Sequence, residues 1–124
     1  MIIARVLAAA ATAAACVAWL VYLNAGLVLS HYDARAHLVV ARRIIDSMTP
    51  GWQQIGAVWL PLPHLLQALP IQIDAWYRTG ASGSVVSIAC FGITTYATAR
   101  IVLTATGSRL GACVAAALLV LNPN

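Results

Sequence analysis

From residue 6 to residue 29 the chain carries no charged side chain, and only Thr12, Asn24 and small residues interrupt its apolar character. About 20 mostly apolar residues cross the hydrocarbon core of a bilayer as one helix, so this run predicts a membrane span. Arg5 followed by an alanine-rich run also fits the start of a secretory signal peptide. The apolar stretch outlasts the roughly 7–15 residues of such a leader, however, and Trp19, Leu20, Val21 and Tyr22 stand where cleavage would be expected. A second run, 84–106, contains one charge, Arg100, which can snorkel toward an interface. A third begins at Leu110 and reaches Asn122-Pro123-Asn124 too soon to cross. It is either a re-entrant piece or the incomplete start of a further span, 110–124; the second reading is favoured and makes the whole chain, 1–124, the N-terminal membrane portion of a longer domain. The expected fold is all-α and multi-pass.

Composition agrees. Of 124 residues, 62% are hydrophobic and 8% charged, whereas soluble domains carry about a quarter charged residues. A water-soluble globule is excluded, and so is a disordered chain, which cannot be this apolar. The charges are seven Arg and three Asp, net +4. Because the Arg are dispersed among apolar runs, no nucleic-acid groove is expected. Cys16, Cys90 and Cys113 lie inside apolar runs without metal-ligand spacing.

Arginine placement sets orientation. Arg5 precedes the first run, and Arg100 and Arg109 bracket the short link between the second and third. Placing these on the cytoplasmic side leaves the segment 31–83 outside the cytoplasm and the chain in the inner (plasma) membrane.

That outer segment holds every Asp and His. Residues 33–48 read as a helix lying along the membrane surface: Ala34, Leu38, Ala41 and Ile45, with Val40 and Ile44, form one face, and Arg35, Arg42, Arg43 and Asp46 the other. Asp33 stands at an N-cap-like position, and Thr49-Pro50-Gly51 ends the helix. Trp52 and Trp59 follow, either as membrane anchors or as a sugar-stacking wall. Pro61 and Pro63 hold their predecessors extended, Pro63 opens a short helix through Leu69, and Pro70 ends it. Residues 71–77 form a further apolar turn or two. Trp76, Tyr77 and Arg78 make an interfacial belt, and residues 79–84 a small-residue hinge.

Asp33 and His37, four apart on a helix, would share a face. Such a pair can act as a general base or hold a cation, or Asp33 can simply cap the helix. The six-residue separation of His31 and His37 is not a metal-ligand pattern, so no metal site is assigned. His64 reads as a polar tip at the interface or a substrate contact. Arg42 and Arg43 face lipid phosphates, water or a substrate phosphate. Asp46 and Asp74 read as solvated carboxylates.

Three segments together, His31-Tyr-Asp-Ala-Arg-Ala-His-Leu38, Gly56-Ala-Val-Trp-Leu-Pro-Leu-Pro-His64 and Leu121-Asn-Pro-Asn124, resemble the opening portion of bacterial GT-C superfamily glycosyltransferases. These are similar to the protein mannosyltransferases and the lipid A aminoarabinose transferases. The resemblance implies an enzyme that takes a sugar from a polyprenyl-phosphate carrier and transfers it to an extracytoplasmic acceptor. The family's acidic residue after the first span maps to Asp33, as base for the acceptor or as partner of the acceptor or of a divalent metal. Many members have a second acid next, where this chain has Ala34. Arg35 or Arg42 would assist the leaving phosphate, and His37, Trp59 and His64 complete the candidate substrate contacts. Membrane lipids are the other expected partners, and nothing in the sequence fixes an oligomeric state. The contrasting expectation is a non-enzymatic membrane component: a transporter fragment, a small assembly subunit or a lipid-binding scaffold.

Overall fold

The computed structural model describes residues 1–55 and 59–122. The Gly56–Val58 part of the second motif and Pro123-Asn124 of the third lie outside the described residues. Every regular element among the described residues is helical. They form six α-helices, α1 (Ile2–Asn24), α2 (Tyr32–Arg43), α3 (Leu62–Gln67), α4 (Asp74–Thr79), α5 (Ala81–Thr106) and α6 (Arg109–Val120). Two 3₁₀ turns, Trp52–Ile55 and Pro70–Gln72, complete the set.

Two of these helices, α1 and α5, are long and apolar enough to cross a membrane, and only 6% and 17% of their most apolar stretches are buried within the chain. α1 covers 23 residues and α5 covers 26, starting a few residues earlier than the hydropathy of each run alone predicts. α6, with 12 residues, is shorter than a bilayer-crossing helix. Three hydroxyls of α5 turn back on their own backbone: Thr95, Thr104 and Thr106 donate to the carbonyls of Phe91, Arg100 and Val102 at 2.8–2.9 Å. That hides each hydroxyl without a partner helix.

The chain divides into two compact units, with the boundaries inside α1 and α5. The first comprises Met1–Ala18 and Ile88–Asn124. Its core is made of alanine: Ala4, Ala99 and Ala112 from three helices are fully covered, flanked by Leu7, Tyr96, Val102 and Leu103. Small residues let helix backbones approach closely. The approach is tightest at Gly92, where a Cβ would collide with the Thr12 hydroxyl. Ser108 caps α6 by accepting from the Gly111 N–H at 2.9 Å.

The second unit, Trp19–Ser87, contains most of the candidate chemistry. α1 ends in a Schellman motif: Leu27 N–H reaches the Tyr22 carbonyl at 2.8 Å and Gly26 N–H the Leu23 carbonyl at 3.1 Å, with Gly26 at φ 69°. This is the usual way to satisfy the last carbonyls of a helix. α2 then packs on α3 and on both 3₁₀ turns. Leu38, Ala41 and Ile71 form the centre, flanked by Leu29 and Tyr77. The expected apolar face is therefore right for Leu38, Ala41 and Ile44, which are buried, but Ile45 is 50% exposed. Burying Leu38 and Ile71 contributes about 1.5–3 kcal/mol each.

Other boundaries differ from expectation too. α3 runs Leu62–Gln67, so Leu62 is helical rather than held extended before Pro63, and Pro61, in the helical region at φ −71° and ψ −27°, leads into it. α2 ends at Arg43, five residues before the predicted end, because the chain tightens: Ile45 and Asp46 N–H both bond to the Arg42 carbonyl, and Gly51 N–H takes the Ile44 carbonyl. The hinge at 79–84 is confined to Gly80, which closes α4 in the left-handed conformation at φ 75°, with α5 beginning at the next residue.

Candidate functional site

His37, on α2, meets two residues that lie far along the chain. Its Nδ1 is 2.9 Å from Nε2 of His64 on α3. The two imidazoles overlap with centroids 5.0 Å apart, and the Trp59 indole lies 4.5 Å from the His37 ring. Three of the expected contact residues, His37, Trp59 and His64, thus form one cluster.

His64 is not the exposed polar tip that its place after Pro63 suggests. It is fully buried, because α3 turns this face onto α2. Burial and the neighbouring His37 hold its imidazole below the usual histidine range, with the Leu60 backbone acting weakly the other way. Its Nδ1 finds no well-formed hydrogen bond among the described residues. Gln67, one turn further along α3, is also buried, with Oε1 unpartnered. Sequence reasoning overlooked Gln67, although its spacing of three from His64 places both on one helix face.

Asp33 lies in the first turn of α2, where the helix dipole favours an anion. Its side chain is 51% exposed. It is not the cap: His31 occupies that position, and its Nδ1 accepts from the Asp33 N–H at 3.3 Å. The Asp33 carboxylate stands 4.0 Å from the same ring. His37, one turn along, is engaged with His64 instead.

The arginines divide by role. Arg35 donates through Nε to the Leu29 carbonyl at 2.7 Å, tying α2 to the end of the α1 turn. With Tyr32, Val39 and Trp59 it lines an open groove of about 450 Å³. Arg42 is committed inside the unit: Nε donates to Asp46 at 2.8 Å, Nη2 to Asp74 at 2.6 Å, and the guanidinium lies over the Tyr77 ring. The hydrogen bonds to Asp46 and Asp74 hold its proton more firmly, and the same contact lowers the Asp74 carboxyl below its ordinary range. Asp46 and Asp74, read from sequence as merely solvated, are therefore partners of Arg42, though both remain largely exposed. Arg43 donates to the Gln54 side chain at 2.8 Å.

Trp52 and Trp59 separate as well. Trp52 is 69% exposed and borders an apolar groove with Ile45, Leu65 and Leu69, whereas Trp59 packs on the imidazoles. Among the described residues, no three His, Cys, Asp or Glu side chains converge as metal ligands.

No protein-family model, curated protein or solved structure matches the chain.

Proposed function

We propose that this chain belongs to a multi-pass membrane glycosyltransferase of the GT-C type, which moves a sugar from a polyprenyl-phosphate carrier to an extracytoplasmic acceptor. α1 and α5 would lie in the inner (plasma) membrane, since their apolar surface is largely uncovered by the chain itself and lipid is the solvent that tolerates it. α6 would open a third span, and the second unit would sit at the outer surface.

One observation carries the chemical part: an exposed carboxylate, Asp33, heads a helix that starts a few residues after a bilayer-length apolar helix. A lipid-linked donor presents its phosphate at that depth. Arg35 is beside the groove against Trp59, where an anion and an apolar chain can be held together. Arg42, neutralised by two carboxylates, is the weaker candidate for the phosphate.

In the reaction, an acceptor oxygen attacks the anomeric carbon and loses its proton to Asp33. The bond from that carbon to the phosphate oxygen breaks, and its electron pair leaves with the polyprenyl phosphate. The carrier is already a good leaving group, so base activation of the acceptor and positive charge near the phosphate are the main demands.

The test is transfer from a synthetic polyprenyl-phosphate sugar in membranes containing the protein. Asp33→Asn is expected to slow transfer roughly 10²–10⁴-fold, the usual contribution of a positioned base, with helix content unchanged. Full activity in that variant rejects Asp33 as the base. A scaffold would show the opposite pattern, with Asp33 dispensable and Trp52 required for attachment to lipid.

A further inference from the structure

α3 is built inside out. Its polar residues, His64 and Gln67, are buried, whereas Leu62, Leu65 and Leu66, with Leu69 just beyond its end, are exposed. A helix at a water surface turns its apolar side inward and its polar side outward, and α3 does the reverse. No Arg or Asp moderates this between Leu60 and Ile73. Leu69, 79% exposed, joins Leu65, Ile45 and Trp52 in lining a groove of about 560 Å³ that contains no charged residue. Arg42, Arg43, Asp46, Asp74 and Arg78 line a separate groove, and the two grooves share no residue.

We infer, on the proposed placement of α1 and α5 across the bilayer, that the leucine side of α3 and the Trp52 groove rest in the acyl-chain layer. α3, rather than α2, is then the helix by which the second unit enters lipid. The depth of α3 selects this occupant. Gln67 Oε1 lies so near Gly83 that an added Cβ there would stand 3.3 Å from it. Gly83 is in the first turn of α5, a helix of 26 residues, about 39 Å long at 1.5 Å per residue. The hydrocarbon core is about 30 Å thick, so Gly83 stands at its edge and α3 is held at the same depth. Trp52 and Trp76, both exposed, carry the amphipathic ring that favours this boundary. Hydrocarbon offers a polar side chain no hydrogen-bond partner, and His64 accordingly turns inward to His37. The sequence singles out α2 as the surface helix, but the apolar side of α2 is covered within the chain: Leu38 and Ala41 pack with Ile71, and α2 lies on α3.

The test places one nitroxide at a time on the full chain in phosphatidylcholine vesicles, with Cys16, Cys90 and Cys113 replaced by alanine. The labelled variants are Leu62→Cys and Leu69→Cys on the α3 side, Arg43→Cys on α2, and Ile93→Cys within α5. All four side chains are exposed, so the fold does not depend on them. Oxygen, being apolar, concentrates in hydrocarbon, and a polar nickel chelate stays in water. The ratio of oxygen to nickel collision rates should be severalfold higher at Leu62 and Leu69 than at Arg43, and should approach that at Ile93. Equality of the α3 sites with Arg43, while Ile93 reports lipid, overturns the inference and leaves the spanning helices standing. Ile93 reporting water removes the spans and the inference with them. Labels on α3 that neither reagent reaches mean that a second copy or another protein covers this face, which also overturns it. The Asp33→Asn transfer result bears on none of these ratios.

Discussion

Arg42 and Asp74 stand 32 positions apart in sequence and meet at 2.6 Å, Nη2 to Oδ1. This contact ties α2 to α4 and leaves the guanidinium stacked over Tyr77, 4.6 Å from the ring centroid. The second unit is thus pinned across its surface by one cation holding two carboxylates and an aromatic face.

Because that hydrogen bond depresses the Asp74 carboxyl, the contribution of the pair is complete above the ordinary aspartate range. It is lost as the pH falls through the lowered folded value. Amide exchange in α4 should therefore accelerate severalfold in strong acid, and Asp74→Asn should abolish that dependence. Arg42→Lys keeps the charge but loses the planar fork, so it should lower the melting midpoint by a few degrees. Equal exchange rates in Arg42→Lys and the unaltered protein would show that the fork does not matter.

His64 shifts in the same direction, in a higher pH range. Burial and the adjacent His37 make the folded chain a poorer proton acceptor at this ring than the unfolded chain. The stability it contributes is complete above about pH 6.5, the usual histidine value, and is lost as the pH falls below it. Protection of α3 amides should drop severalfold between about pH 7 and pH 5, a window bracketing that value. In His64→Gln the profile should flatten. A flat profile in the unaltered protein would contradict the burial of this ring.

Two glycines with the same backbone sign should behave differently. Gly80 has φ 75°, and an added Cβ would come within 2.7 Å of Leu29 and 2.9 Å of Val28. Gly107 has φ 67° and open space around it. The left-handed backbone alone costs about 1–2 kcal/mol for an L-residue. Thermal unfolding in detergent should show Gly107→Ala losing about that much and Gly80→Ala distinctly more. Equal losses would mean that the chain around Leu29 yields freely.

The long helices were legible because length and hydropathy over 20 or more residues depend on nothing else in the chain. The face of α2 was legible for the same local reason: Leu38 and Ala41 follow the helical period. Its end was not. Thr49-Pro50 is a strong breaker, but the chain turns earlier because the Arg42 and Ile44 carbonyls find partners beyond the helix, a choice coupled to where the Arg42 side chain is held. The site was read in part. His37, Trp59 and His64 each stood out, yet spacing paired His37 with Asp33, its neighbour by helical count. The contact actually made spans 27 residues and depends on how α3 docks on α2, which no local pattern encodes. Arg42 illustrates the same limit, since its partner Asp74 lies beyond three intervening elements.

The alanine centre of the first unit inverts the usual relation between bulk and position. With Ala4, Ala99 and Ala112 innermost, and Ile93, Ile101, Leu110 and Leu118 turned outward, greasiness marks the rind and slenderness the pith. One added methyl at the middle would pry apart what a wholesale exchange of outer leucines for isoleucines would leave undisturbed.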